Sequence, residues 1–183
     1  DHWFVNEVLG MLRRTLSRLD VSSRSLYAIV KPGSAFAGTL AELLFAADRS
    51  YMIEMLSDPA DGPSIQLGEA NFGFYPIANG LGRLASRFQG APERLDELRE
   101  RAKTPIPSGE AHDLGLVTFA PDDIDWDEEV RMAIDERASL SPDALTGMEA
   151  SLRFAGPETV WSKVFGRLSA WQNWIFIRPN AVG

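Results

Sequence analysis

Four residues in two short segments could take part in chemistry on a carbonyl group. Gly38 and Thr39 lie where an apolar strand, residues 26–30, and a Pro-Gly turn give way to a predicted helix. Backbone N–H groups at a helix start lie at the positive end of the helix dipole, where a developing oxyanion is stabilised. Glu42 follows one turn into the helix, and Glu69 precedes a Gly- and Pro-rich segment. This pattern favours carbonyl chemistry in which carboxylates move protons.

Each of these residues also has a purely structural explanation. Residues 39–42 fit a capping box, in which Thr39 accepts a bond from the Glu42 N–H and the Glu42 carboxylate bonds back to the Thr39 N–H. Gly38 and Thr39 would then form only a tight helix start. Glu69 could be a loop glutamate in water, whereas burial in a cleft would make it a candidate general acid. Both kinds of explanation stay open at this point.

Composition excludes several other kinds of site. The 183 residues include no cysteine, which excludes disulfides, cysteine-ligated zinc and a thiol nucleophile. They include only two histidines. The net charge of -8 argues against nucleic acid as a partner. The acidic run at residues 122–129 lacks the glycine and spacing of a calcium loop, so it is interpreted as helix capping. We therefore predict no metal and no nucleic acid.

The ends and hydropathy of the chain give weaker expectations. No apolar run is long enough to span a bilayer, so we expect no membrane segment and a cytoplasmic location. The first residue is aspartate, and an amphipathic helix begins almost at once. We therefore expect a fragment of a longer chain.

The order of predicted elements is that of an α/β protein in one domain, residues 1–183. Short apolar strands alternate with helices in the first part, and helices alone follow. The predicted strands are residues 26–30, 50–53, 65–67 and 116–119. The predicted helices are residues 3–19, 39–49, 81–88, 93–103, 110–114 and 127–139, one that starts at the Ser141-Pro142 cap, and 158–177.

Four segments, in this order, resemble the crotonase (enoyl-CoA hydratase/isomerase) superfamily. They are the strand, turn and Glu-Leu helix of residues 28–48, Gly-Glu-Ala at 68–70, Gly-Phe-Tyr-Pro at 73–76 with Gly80, and the Gly-Leu-Val motif in residues 111–117. The resemblance implies a ClpP/crotonase spiral core of ββα units, here without its N-terminal strands. It implies an oxyanion site at Gly38 and Thr39, with Glu42 and Glu69 as the catalytic acids.

Further strings resemble a narrower family, the C-terminal half of the benzoyl-CoA-dihydrodiol lyases (2,3-epoxybenzoyl-CoA dihydrolases). These strings are residues 19–24, 119–126, 141–150 and 170–176. The resemblance implies hydrolytic ring opening of an epoxidised aromatic CoA thioester, with release of formate, in aerobic benzoate degradation. It implies no metal or redox cofactor. The expected partners are an acyl-CoA substrate, a missing N-terminal crotonase-like half and further copies of the chain in a homo-oligomer.

Two other functions remain open. The Phe-Ala-Gly-Thr turn at residues 36–39 departs from the consecutive glycines usual in crotonases. That departure favours a catalytically silent half that supports the active site of the other half. An ordinary enoyl-CoA hydratase or isomerase is the third candidate. The aromatic-rich C-terminal helix predicts either core packing or a surface for a partner.

Overall fold

The computed structural model describes residues 2–153 and 158–181. Helices and short strands alternate as far as residue 113, and the regular elements after that are helical. The strands are β1 (Tyr27–Val30), β2 (Arg49–Met52), β3 (Ser64–Gln66) and β4 (Pro105–Pro107). The helices are α1 (Trp3–Ser17), α2 (Ala41–Phe45), α3 (Arg83–Arg87), α4 (Arg94–Glu100), α5 (Ser108–Asp113), α6 (Trp126–Ala138), α7 (Pro142–Leu152) and α8 (Gly166–Ile175). The predicted α/β class with a helical C-terminal region is confirmed.

Strands β1 and β2 pair in parallel, with Tyr27 opposite Arg49 and Val30 opposite Met52. The predicted strand at 116–119 was wrong, because only Thr118 and Phe119 bond to β2, and they form one isolated bridge, between Phe119 and Tyr51. The N–H groups of Leu116 and Val117 instead bond back to the Ala111 carbonyl. That local turn takes the donors that a strand would have presented to β2.

Only one strand of the second pair, β3 with β4, was predicted. β3 overlaps the predicted strand at 65–67, whereas β4 was not predicted because its two prolines are typical of a loop that ends a helix. The two strands are antiparallel, and Ile65 lies opposite Ile106. Ile106 is fully buried between Pro105 and Pro107, which are both exposed. Proline is tolerated in such a short strand at the edge of a sheet.

The main core lies between the two strand pairs and helices α2–α5. Its members are apolar side chains with little or no exposure: Val30, Leu44, Met52, Ile65, Leu67, Leu84, Leu98, Ile106 and Leu116. The helix predicted at 39–49 is shorter than expected. A 3₁₀ turn at Gly38–Leu40 precedes α2, and the Asp48 N–H already bonds to the Leu26 carbonyl, beside β1. The start of this helix is therefore a tight turn packed against the core.

Charged groups join the C-terminal helices to the segment before β1. Arg153, just after α7, donates to both carboxylate oxygens of Asp48, at 3.0 and 3.2 Å, and to the Arg24 carbonyl at 2.8 Å. Glu149 accepts from Ser25 at 2.8 Å and forms an ion pair with Arg137. Burial raises the pKa of Glu149. These contacts hold α6 and α7 beside β1 and leave a cavity between them, described below.

The last helical segment exposes much of its apolar surface. A π-helical turn, Trp161–Phe165, leads into α8. Trp161, Phe176 and Ile177 are 73%, 78% and 81% exposed, which favours a surface for a partner over complete core packing. No helix in the part of the chain that the structure describes is long and apolar enough to cross a bilayer.

Lys103 is the one residue other than glycine with a left-handed backbone among those described, at φ 69°. Its N–H bonds to the Leu67 carbonyl at 2.8 Å, and its carbonyl accepts from the Gln66 side chain at 2.7 Å. These bonds hold the strained turn against the end of β3. A side chain at a left-handed position costs about 1–2 kcal/mol, whereas glycine costs about 0.5–1 kcal/mol in unfolded-state entropy.

We therefore expect Lys103→Gly to raise the free energy of unfolding by up to about 1 kcal/mol, measured by urea denaturation. The matched control is Ala102→Gly, at the preceding residue, which has no left-handed backbone. That control should lower the free energy of unfolding by about 0.5–1 kcal/mol. Equal losses in both variants would contradict the strained conformation of Lys103.

Candidate active site

The predicted oxyanion residues form a tight turn, Gly38–Leu40, called here the oxyanion turn. Gly38 has φ 50°, a left-handed value that favours glycine. A Cβ atom on Gly68 would lie 3.4 Å from the Cα of Gly38, so the loop that leads to Glu69 crosses directly over the turn. The structure therefore brings the two predicted segments together, although they are far apart in sequence.

Asn71 ties these two segments to each other. It lies in a second 3₁₀ turn, Glu69–Phe72, called here the acid turn, and its side chain is buried. The Asn71 amide donates to the Gly38 carbonyl at 2.9 Å and to Glu42 Oε1 at 2.7 Å. Its amide oxygen accepts the Gly68 N–H at 2.8 Å. One side chain thus fixes the oxyanion turn, the acid turn and Glu42.

Arg83, the first residue of α3, holds the other side of Glu42. Its NH1 atom donates to Glu42 Oε2 at 2.9 Å, and its NH2 atom donates to Asp20 at 2.5 Å and to the Leu16 carbonyl at 2.8 Å. The Arg83 side chain is 2% exposed and that of Glu42 is 1% exposed. We call Asp20, Arg83, Glu42 and Asn71 the Arg83 network. It connects the end of α1 to both turns through the interior.

Burial and pairing have opposite effects on the pKa values of the two carboxyl groups in the Arg83 network. Burial raises the pKa of Glu42, whereas the bonds from Asn71 and Arg83 act in the opposite direction. Burial likewise raises the pKa of Asp20 against the opposing effect of Arg83. Both carboxylates share one guanidinium, so the additional amide donor of Asn71 helps to compensate the buried negative charge.

The capping-box explanation of Thr39 and Glu42 is wrong. Both oxygens of the Glu42 carboxylate are engaged by Asn71 and Arg83, and the Thr39 hydroxyl instead lies 3.0 Å from that of Tyr75. Leu40, the N-cap residue of α2, makes no side-chain capping bond. A carboxylate with both oxygens bonded to buried donors can orient the oxyanion turn, but it is poorly placed to exchange protons with a substrate.

Glu69 lies in a different environment from Glu42. Its side chain is 74% exposed, and its nearest charged partner is Lys103, with Nζ 3.9 Å from Oε1. This exposure fits the loop glutamate in water better than burial in a cleft. Four cavities in the described part of the chain, among them the one described below, are not lined by Gly38, Thr39 or Glu69. Asn71 takes the buried position in the acid turn, which leaves Glu69 in solvent.

The catalytic roles of Glu42 and Glu69 and the oxyanion role of Gly38 and Thr39 stay predictions. Sequence reasoning missed Asn71, Arg83 and Asp20 as residues of the site. A weak signal existed for Arg83, because an arginine between Leu81 and Leu84 lies in an otherwise apolar stretch. Asn71 gave none, since asparagine in a Gly-rich loop is usually a turn residue.

The described residues offer no metal centre. No group of three or more histidine, aspartate or glutamate side chains among residues 2–153 and 158–181 is placed to hold a metal ion. In the acidic run, one Asp122 oxygen accepts the N–H groups of Ile124 and Asp125, each at 3.0 Å. That local turn precedes α6, whose N-cap residue Asp125 makes no side-chain capping bond, so the predicted hydrogen-bonded cap is absent there and the acids of the first turn act only through the helix dipole.

The Arg83 network predicts a large effect of one substitution. Arg83→Met removes the guanidinium and leaves Asp20 and Glu42 buried without their cation, so the free energy of unfolding should fall by about 3–5 kcal/mol. Urea denaturation measures this change. The control is Arg131→Met on α6, whose side chain is 64% exposed and forms only surface ion pairs. The control should change stability by less than about 1 kcal/mol. Equal effects in the two variants would contradict a supporting role for Arg83.

Known proteins support both the fold and a narrower relationship. No protein-family profile matches the chain. It is 57% identical over 184 residues to benzoyl-CoA-dihydrodiol lyase from Aromatoleum evansii, a match that covers 100% of this chain and 32% of that protein. The chain therefore spans about a third of the length of this relative.

Solved structures share the fold at low sequence identity. An enoyl-CoA hydratase from Thermoplasma volcanium GSS1 is 18% identical and superposes with a TM-score of 0.72. The superposition covers 99% of this chain and 66% of the hydratase. An enoyl-CoA hydratase from Bacillus anthracis is 20% identical and superposes with a TM-score of 0.70. The superposition covers 97% of this chain and 64% of the hydratase. The chain therefore has the crotonase fold, and over its whole length it is similar to the C-terminal part of benzoyl-CoA-dihydrodiol lyase.

Proposed function

We propose that this chain is the C-terminal crotonase-fold part of an enzyme that opens the ring of an aromatic CoA thioester. The substrate would be 2,3-epoxybenzoyl-CoA, and the reaction would be hydrolytic cleavage with release of formate. The single observation that carries this proposal is the 57% identity to benzoyl-CoA-dihydrodiol lyase along the whole chain. The reaction calls for polarisation of the thioester carbonyl and for proton transfer to and from water.

The oxyanion turn would supply the first requirement. Among the residues that the structure describes, no acceptor receives the Thr39 N–H. The Gly38 N–H likewise has no acceptor among these residues, but Gly38 directly follows the parallel bridge between Ala37 and Gln66. Both N–H groups are therefore available, and we place the thioester oxygen at Thr39, the one farther from that bridge. One such donor contributes about 2.7–4 kcal/mol to transition-state stabilisation, and a second would come from the part of the enzyme outside this chain.

Glu69 would supply the second requirement, as the acid or base that handles water. It is in contact with solvent, and Asn71 fixes the acid turn against the oxyanion turn through bonds of 2.7–2.9 Å. Glu42 would act as a positioning residue, because its carboxylate is bonded to Asn71 and Arg83. The site would be completed when the rest of the enzyme covers this surface and excludes bulk water.

A second function, a catalytically silent half, is favoured by a specific observation. Glu42 is almost completely buried with both carboxylate oxygens bonded, and the Glu69 side chain is 74% exposed. In that case the chain would support an active site in the other half of the enzyme. The exposed apolar side chains near α8 would then serve assembly, with the other half or with further copies of the chain.

Substitution of Glu69 separates the two functions. If Glu69 transfers protons, Glu69→Gln in the full-length enzyme should lower kcat for formate release by about 10²–10⁴-fold. The unfolding midpoint should not change, because the side chain is exposed. The control is Glu97→Gln on α4, an exposed glutamate that pairs with Arg94 at 2.9 Å. It should leave kcat within about twofold, as expected for a surface position.

Unchanged turnover in Glu69→Gln would contradict the catalytic role and support the silent half. Calorimetry of a CoA thioester with the same variant gives an independent measurement. Retained affinity with lost turnover assigns Glu69 to the chemical step. Loss of both would assign it to binding instead.

A further inference from the structure

A cavity lined by arginines adjoins the Arg83 network but does not include the oxyanion turn in its walls. It has a volume of about 370 Å³ and lies between the β1–β2 pair, α3 and the C-terminal helices. The cavity, called here the arginine cavity, is lined by five arginines: Arg49, Arg83, Arg87, Arg137 and Arg153. Gly38, Thr39 and Glu69 are not among its lining residues, so the proposed function does not use it.

Three of the five guanidinium groups are already paired. Arg83 bonds to Asp20 and Glu42, and Arg153 bonds to Asp48. Glu149 bonds to both Arg137 and Arg153. The carboxylates near this cavity are therefore each satisfied by a cation, and they do not present free negative charge to it.

Arg49 and Arg87 have no such partner. Within residues 2–153 and 158–181, no carboxylate forms an ion pair with either of them. The Nε atom of Arg87 donates to the Gly115 carbonyl at 2.7 Å, which fixes the side chain and leaves its NH1 and NH2 atoms available. The nearby Tyr51 side chain raises the pKa of Arg49, so Arg49 stays charged. Two arginines without a carboxylate partner among the described residues thus line one concave site of a chain whose net charge is -8.

The rest of the lining favours an anion with an apolar part. Phe45, Ala46, Ala47, Ile77 and Leu152 contribute apolar surface to the same cavity. A volume of this size lies at the lower end of the range for small-molecule sites, about 300–1,000 Å³. Guanidinium groups bind carboxylates and phosphates through paired N–H donors, and apolar walls contribute by removing carbon from water.

We propose that the arginine cavity is a binding site for a small organic carboxylate, with the carboxylate held by Arg87 and Arg49 and the carbon part against the apolar wall. The two arginines come from α3 and β2, which are both part of the central fold. The site is therefore built on regular elements and does not depend on a surface loop.

Calorimetry of the full-length protein with three probes tests this proposal. Hexanoate carries the charge and the apolar chain, hexanamide has nearly the same shape without the charge, and inorganic phosphate has the charge without the chain. We expect hexanoate to bind at least about tenfold more tightly than either other probe, consistent with one charge-assisted contact and one apolar contact. Equal binding of hexanoate and hexanamide, or tighter binding of phosphate, would overturn the proposal.

Two variants locate the site. Arg87→Met should weaken hexanoate binding by about tenfold, the value of one charge-assisted contact, and Arg49→Met should do the same. Arg131→Met removes an arginine on α6 outside the cavity and should leave the affinity unchanged. Two cavity variants are tested so that a folding defect in one of them does not decide the result. Thermal unfolding shows whether each variant is folded. Unchanged affinity in both cavity variants would overturn the assignment.

Discussion

Arg83 lies where three parts of the chain meet in the interior. Its guanidinium bonds to the Leu16 carbonyl at the end of α1, to Asp20 in the turn that follows α1, and to Glu42 in α2. Asn71 extends the connection to the acid turn. The side chains of Arg83 and Glu42 are almost completely buried, so none of these bonds is exchanged for water without opening the fold. The relative positions of the oxyanion turn and the acid turn depend on this network.

That dependence changes the interpretation of Glu42. The resemblance to crotonases assigns it to catalysis, whereas the geometry places both of its oxygens on buried donors. A buried ion pair of this kind often adds little net stability, but it fixes which groups face one another. Here it fixes a tight turn whose first residue has a left-handed backbone, so the Thr39 N–H is directed by the interior of the protein. In the proposed function, Glu42 would act on the chemistry through position.

Parts of this structure follow from the sequence, and other parts depend on long-range contacts. Continuous apolar character predicts β1, and the Ser141-Pro142 cap predicts the start of α7, where the Ser141 side chain accepts the Ala144 N–H. Those features are local. β4 was missed because two prolines oppose a strand in any local reading, and its pairing depends on β3, which lies far away in sequence. The burial of Ile106 outweighs that local preference.

The candidate site divides in the same way. The crotonase-like strings correctly place the oxyanion turn and the acid turn in one region, because the fold brings them together. The exposure of Glu69 did not follow from its neighbours in the sequence, because it depends on Asn71 occupying the buried side of the acid turn. The pairing of Arg83 with two acids, 63 and 41 positions away, depends entirely on the tertiary fold.

The most direct test of the account is a crystal structure of the full-length protein with an unreactive CoA thioester analogue bound. The account predicts the carbonyl oxygen of the analogue at about 3 Å from the Thr39 nitrogen, with Glu42 still bonded to Arg83 and Asn71. A Glu42 carboxylate turned away from Arg83 and in contact with the analogue would contradict it. So would an analogue bound elsewhere with the oxyanion turn unoccupied.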